Sequence, residues 1–183
     1  MSGLKALAGD AMYFEETVTT ETIRKLLNSI GTNTSVMQEK VEGMKWLLAM
    51  ISKGKDVSEF FPDVVKNVIA KDVEVKKLVY MYLVHHADAN KQCRDLALLA
   101  INSFHKDLSD RNALIRGMAL RVLTSIRVKD IVHIQILAIK RCIRDSCPFV
   151  RKTAAHAICK VNALDPESKE ELVVIIQQLL KDE

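Results

Sequence analysis

The chain has 183 residues, 49% of them apolar and 27% charged, with three prolines and six glycines. That is ordinary for a folded soluble protein, long enough for one domain or a short repeat array, and too poor in turn formers for a β-rich fold. The net charge of +4 at pH 7 is mild, the longest apolar runs are too short for a membrane span, and positions 1–30 do not read as a secretory signal, so a cytosolic protein is expected.

Residues 1–18 carry Gly3, Gly9 and few periodic apolar positions, which predicts a flexible N-terminal arm holding the aromatic pair Tyr13 and Phe14. From residue 19 to 183 the pattern is helical. A short helix is predicted over Thr20–Ile30, with Ile23, Leu26, Leu27 and Ile30 on one stripe and Gly31 ending it. Asn33, Thr34 or Ser35 caps a longer helix to about Ser52. Its buried face is Val41, Met44, Leu47, Leu48 and Ile51, and Gly54 stops it. A helix opened by Asp56 or Ser58, with Pro62 in its first turn, turns Phe61, Val64, Val65, Val68 and Ile69 to the core.

Asp72 turns the chain into a helix to about Ala87, and polar residues from Asp88 to Arg94 read as a loop or ragged start. The next helix, Asp95–Leu108, carries Leu96, Leu98, Leu99, Ile101, Phe104 and Leu108. Asp110 leads into a helix around Asn112–Ile126, and Asp130 caps one reaching about Arg144, apolar over a wide arc as a helix between two layers should be. Pro148 opens the next helix. Asp165 and Pro166 start the last, whose apolar face implies either that the array continues in a longer parent chain or that another molecule covers it.

Three of these segments are copies of one pattern. Val75, Ile115 and Val150 start the copies, 40 and 35 residues apart. At offsets of 3, 4, 7 and 8 come Leu78, Met118 and Thr153, then Val79, Ala119 and Ala154, then Tyr82, Val122 and Ala157, then Leu83, Leu123 and Ile158. Only Thr153 is polar, and those offsets mark one helix face. The residue after each starting position is basic: Lys76, Arg116, Arg151. Asp72, Asp110 and Asp145 stand just upstream. An Asp in the turn can accept from free N–H groups. The base can reach acidic or carbonyl groups of the neighbouring repeat. The pattern resembles the HEAT repeat, two helices over roughly 40 residues. The expected fold is therefore all-α, a right-handed superhelical α-solenoid of HEAT/armadillo-like helix pairs.

Catalytic patterns are missing. There is no GxGxxG, no phosphate loop, no GxSxG elbow and no HExxH among the five histidines. His85 and His86 are adjacent and point about 100° apart on a helix, so they do not share an ion readily. Cys93, Cys142, Cys147 and Cys159 form no CxxC pair, and His156 with Cys159 has no second ligand pair. The reading is a non-enzymatic chain with no metal and no cofactor. A basic set, Lys140, Arg141, Arg144, Arg151, Lys152 and Lys160, leaves a second reading open: a helical-repeat module that binds nucleic acid or an acidic membrane surface. No aromatics alternate with these bases, which speaks against single-stranded nucleic acid.

Combined motifs carry the reading further. KGKDVSEFFPDVVKNV runs from Lys53 to Val68, KKLVYMYL from Lys76 to Leu83 and DLALLAINSF from Asp95 to Phe104. LIRGMALR runs from Leu114 to Arg121, SIRV from Ser125 to Val128 and FVRKTAA from Phe149 to Ala155. Over about residues 20–183 these resemble the N-terminal trunk of β-adaptins, large subunits of heterotetrameric clathrin-adaptor complexes. AAHAI from Ala154 to Ile158, with ALDPE from Ala163 to Glu167, resembles most the branch of the third adaptor complex.

That resemblance implies a scaffold subunit of a vesicle coat that sorts cargo from Golgi and endosomes toward lysosome or vacuole. It implies a cytoplasmic protein, peripheral on Golgi and endosomal membranes and coated vesicles. The implied partners are a second large chain, a medium chain and a small chain, an Arf-type small GTPase, and a membrane reached indirectly; no nucleic acid is expected. In related adaptors the helix matching Asp95–Phe104 meets the GTPase, which puts Leu98 and Ile101 at the contact. A Tyr-Phe pair in the arm of related chains docks into a neighbouring subunit, which puts Tyr13 and Phe14 in that role. Relatives often carry prolines near Arg94 and within Asp110–Ala113; their absence here frees those turns, at roughly 0.4–1 kcal/mol each. Clathrin binding belongs to the hinge and ear and is not assigned to this piece.

Overall fold

The computed structural model describes residues 12–13 and 18–181. Among them are ten α-helices and no strand, and the fold class is the α-solenoid expected from the repeated columns. Of the fifteen column positions all are buried except Leu78, which is half-buried. The polar exception, Thr153, satisfies its hydroxyl on the Phe149 carbonyl at 2.8 Å. By packing, the chain divides into two units, the first ending at Tyr82 and the second beginning at Leu83.

In the first unit, α1 (Thr20–Leu27) packs on α2 (Thr34–Ser52). The approach is close because Gly43 of α2 has no Cβ; one placed there would lie 3.1 Å from Leu26 Cβ. Side-chain oxygens of Thr19 and Asn33 cap the two helices by accepting from Thr22 N and Val36 N. α2 ends in a Schellman arrangement. Gly54, at φ +75°, donates to the Ile51 carbonyl at 2.8 Å, and Lys55 donates to the Met50 carbonyl at 3.0 Å. Met44, Trp46, Leu47 and Ala49 are the buried set of α2, whereas Val41, Leu48 and Ile51 are only half-buried.

The segment after it is a 3₁₀ turn at Ser58–Phe60, the short helix α3 (Phe61–Val65) and a second 3₁₀ turn at Lys66–Ile69. Phe60, Phe61, Val64 and Val68 fill the core, each side chain worth about 1.5–3 kcal/mol when fully buried. Buried Asn67 ties the layers together. Its Nδ2 donates to the Leu27 carbonyl at 3.1 Å, and its Oδ1 accepts from Lys40 at 2.7 Å; partial burial holds that lysine's pKa below its ordinary value. Two predicted core residues are not core. Ile30 is 97% exposed because α1 stops at Leu27 and the stripe is broken before it. Ile69 is 79% exposed because the switch to 3₁₀ winding rotates it away.

α4 (Val73–His86) carries the boundary between the units. Tyr82 anchors it to the first, its hydroxyl donating to the Val57 carbonyl at 2.6 Å. In the second unit, α5 (Lys91–Leu99) starts four residues earlier than the sequence suggests, because Asn90 caps it onto Cys93 N at 2.9 Å. The predicted single helix is then broken at Ala100 into α5 and α6 (Ile101–Asp107). Hydrogen bonds there shorten to three-residue steps, Ala100 N to Ala97 O at 3.1 Å and Ser103 N to Ala100 O at 2.9 Å.

α7 (Ala113–Leu123) is capped by Asn112, and seven of its eleven residues are buried. α8 (Val132–Cys142) follows a 3₁₀ turn at Lys129–Ile131. Asp130 does not cap it, since the 3₁₀ turn pulls that residue into its own winding and no side-chain cap bond forms. α9 (Pro148–Leu164) packs on both α7 and α8, and α10 (Lys169–Leu179) packs on α9 through Leu172 and Ile175. Val173, Val174 and Ile176 of α10 stay exposed, as does Leu180 just beyond it.

Gln135 of α8 was not singled out by periodicity, yet it is fully buried. Its Nε2 donates to the carbonyls of Leu123 and Ile126, both at 2.9 Å, and so closes the C-terminal end of α7.

Candidate functional site

The run Leu96-Ala97-Leu98-Leu99 places four apolar side chains on successive positions, about 100° apart around the helix. They cannot all face inward. Ala97 takes the core position with Cys93 on the preceding turn, and Phe104 and Leu108 continue that face along α6. Leu98 and Ile101, the residues singled out from sequence, are half-buried. Leu99, one of the apolar residues this helix carries, is 80% exposed. The core face is already filled by Ala97, so Leu99 falls on the opposite side. The result is a surface patch of Leu98, Leu99 and Ile101 spread over the junction of two helices. The signal for Leu99 was in the sequence: four apolar residues in a row overfill any single face.

The turn residues form a repeated arrangement. Asp72 Oδ1 accepts from Glu74 N at 2.9 Å and Val75 N at 3.0 Å. Asp110 Oδ1 accepts from Asn112 N, and Asp145 Oδ1 from Cys147 N, each at 2.8 Å. Arg116 Nη1 donates to the Asp110 and Arg111 carbonyls at 2.9 and 3.1 Å; Arg151 Nη1 donates to the Asp145 and Ser146 carbonyls at 3.0 and 3.2 Å. Each arginine thus holds the backbone of its own turn. Arg116 also reaches the next turn, forking onto Asp145. Its guanidinium is the main reason the Asp145 carboxyl lies below the usual carboxylate range, opposed by burial and helped by the Cys147 amide. Lys76 is buried in the first unit.

Tyr13 stands edge-on to Trp46, ring centroids 4.8 Å apart, with Lys45 5.9 Å from its ring centre, and its carbonyl accepts from Lys53 at 3.3 Å. Phe14, and the rest of the arm apart from residues 12–13 and 18, lie outside the described residues.

The basic set does not form one ridge. Lys140 pairs with Glu171 at 2.5 Å, Arg141 with the Ser109 hydroxyl at 2.7 Å, and Arg151 with its turn. Lys152 and Lys160 instead lie on the face of α9 that looks toward Arg121 of α7. All four cysteines are free. Cys93 and Cys142 are buried, Cys147 is half-buried and Cys159 exposed, and burial pushes the Cys142 thiol up to about 11. Among the described residues no three His, Cys, Asp or Glu side chains are grouped to hold a metal, and no helix is long and apolar enough to cross a membrane.

Comparison with known proteins places this surface in context. Residues 15–183 match the family model described as "Adaptin N terminal region". The chain is 48% identical over 170 residues to AP-3 complex subunit beta of Dictyostelium discoideum, covering 93% of this chain and 15% of the relative. It is 57% identical over 143 residues to AP-3 complex subunit beta-1 of Bos taurus, covering 78% of this chain and 13% of the relative. Among structures it is similar, at 31% identity and a TM-score of 0.66, to one described as "Homology model of the full-length AP-3 complex in an intermediate open conformation", covering 93% of this chain and 27% of that one. The chain therefore spans only 13% to 15% of the length of these two curated relatives.

Proposed function

The chain belongs to the adaptin family, and from that premise we propose that it is a segment of the large-subunit scaffold in an AP-3-like coat adaptor, working by binding and not by catalysis. Its partners are the second large, medium and small chains of such a complex, and an Arf-type GTPase in its GTP state. Through them it sits on Golgi and endosomal membranes and takes part in carrying cargo toward lysosome or vacuole. The similarity to AP-3 beta subunits supports the scaffold role; the exposed α5–α6 patch supports the GTPase contact.

The observation that carries the contact is Leu99, 80% exposed between half-buried Leu98 and Ile101. Covering one such leucine is worth about 1.5–3 kcal/mol, enough for a switch surface to depend on it. Tyr13 and Phe14 are assigned to the arm contact with a neighbouring subunit, with Tyr13 held on Trp46 when that contact is not made.

The test is capture of an Arf-type GTPase, loaded with GTP or GDP, on the immobilised chain. The comparison is the double variant Leu98→Asp, Ile101→Asp, with Leu99→Asp beside it. GTP-selective capture that disappears in still-folded variants supports the contact. Capture that ignores both nucleotide and mutation removes the contact and leaves only the scaffold role.

A further inference from the structure

α9 presents two faces. One is the column of buried residues that packs on α7 and α8. The other lines a trough between α9 and the C-terminal part of α7, continuing to the end of α4 within the second unit. The trough consists of two cavities of about 320 and 700 Å³ that share Thr124 and Lys160. Along α9 it runs from Phe149 to Leu164, about 22 Å at the helical rise.

The charge of this trough is one-sided. Arg121, Lys152 and Lys160 line its first half, and Arg127 joins Lys160 in the second. Arg121 and Lys152 have no carboxylate partner among the described residues. Lys160 has only a hydroxyl, that of Ser125 at 3.2 Å. Burial, then the charges of Arg121 and Arg127, hold the Lys160 ammonium below its ordinary pKa. Among the described lining residues the one carboxylate is Asp88, already engaged by Arg94 at 2.6 Å and Arg127 at 3.9 Å. The Phe149 ring, 41% exposed, closes one end and offers an apolar contact.

We propose that this trough binds an acidic peptide segment in extended form, its carboxylates or phosphoseryl groups meeting Arg121, Lys152 and Lys160 and an apolar side chain resting on Phe149. Its length decides between anions. A trough of about 22 Å accommodates about seven extended residues at roughly 3.3 Å each, whereas a single lipid headgroup or free phosphate would fill only one end. Lys152 and Lys160 stand eight residues apart along one face of α9, about 12 Å at the helical rise, and Arg121 faces them from α7, so the cations are spread as repeated negative charge requires. The site shares no residue with the α5–α6 patch, so it stands independently of the GTPase contact.

The experiment is fluorescence anisotropy of the purified chain with a labelled seven-residue peptide of alternating glutamate and phosphoserine with a leucine at one end. The comparison peptide carries glutamine and serine at the same places. The test variant is Arg121→Glu, Lys152→Glu; the control of equal charge change is Lys129→Glu, Lys169→Glu, both exposed and outside the trough. Circular dichroism and the thermal midpoint check that each variant is folded, and Lys160→Gln provides a milder second variant. The expected result is binding of the acidic peptide only, weakened at least tenfold by the trough variant, several-fold by Lys160→Gln and little by the control. It should also weaken as salt shortens the Debye length from about 10 Å at 0.1 M to about 3 Å at 1 M. Three results would each overturn the proposal: equal binding of the neutral peptide, equal loss in the control variant, or trough-dependent binding of phosphoinositide vesicles without binding of the peptide.

Discussion

The guanidinium of Arg116 forks onto the carboxylate of Asp145, Nε to Oδ2 and Nη2 to Oδ1, each at 2.7 Å. The two side chains are only 14% and 12% exposed, and they lie 29 residues apart in sequence. A bidentate pair so shielded is worth more than a surface bridge, and breaking it from one side leaves a charge buried without its partner. Arg116→Met is therefore expected to destabilise the second unit by about 2–4 kcal/mol, and Arg116→Lys by somewhat less, because an ammonium cannot supply the fork. Urea unfolding followed by circular dichroism measures this. A loss under about 0.5 kcal/mol would class the pair with ordinary surface bridges.

The same pair sets a pH dependence. The folded-state pKa of Asp145 is depressed, with the Arg116 hydrogen bond as the leading cause. The unfolded chain thus takes up the proton first, near the ordinary aspartate value of about 3.9. The stabilisation is fully present above that value and is lost as pH falls through the lower, folded one. The stability difference between the natural chain and Asp145→Asn should be constant above about pH 5 and shrink below about pH 4. Unfolding midpoints across pH 2–7 test it, and a difference that instead grows on acidification contradicts the assignment.

Gln135 closes α7 by giving two hydrogens to two carbonyls in a fully buried setting. Gln135→Met keeps the shape and leaves both carbonyls without a donor. The expected cost is about 2–4 kcal/mol, larger than a surface glutamine would show. Hydrogen exchange should also report earlier opening at the end of α7. Wild-type stability in this variant would mean water replaces the side chain there.

Gly117 and Phe149 test the trough wall. A Cβ added to Gly117 would lie 2.5 Å from Phe149 Cε1, so the ring must move. The ring is 41% exposed and has room to swing, and alanine gains about 1 kcal/mol of helix propensity over glycine. Gly117→Ala is expected to leave stability within about 1 kcal/mol of the natural chain while shifting the Phe149 ring resonances. A loss of several kcal/mol would show instead that the ring is fixed in place.

The repeating columns were legible because they record a single demand, that one helix face be dry, and fourteen of the fifteen positions are buried. Ile30, Ile69 and Leu99 were not, since an apolar letter says nothing about whether another element covers it. An early helix end decided the first, 3₁₀ winding the second and an overfilled face the third. The reverse failure is Gln135, whose place in the core comes from two unpaired carbonyls at a helix end and from no periodicity at all. Asp130 shows the limit of capping signals: a 3₁₀ turn can take the residue before the helix begins. For the trough, the sequence contained the bases but grouped them by proximity along the chain. The fold sorts them by face, leaving Lys140 to Glu171 and Arg141 to Ser109 and bringing Arg121 in from another helix.

The side-chain links that tie one layer to another reach only a little way along the chain: 27 residues from Lys40 to Asn67, 29 from Arg116 to Asp145, 35 from Lys160 to Ser125, 40 from Asn67 to Leu27. Each joins neighbouring helix pairs. Loop-closure entropy for such spans is modest, so folding can nucleate in any adjacent pair and spread outward. Unfolding can likewise proceed by fraying, layer by layer, and the kinetics should depend on the weakest interface between neighbours more than on the total core.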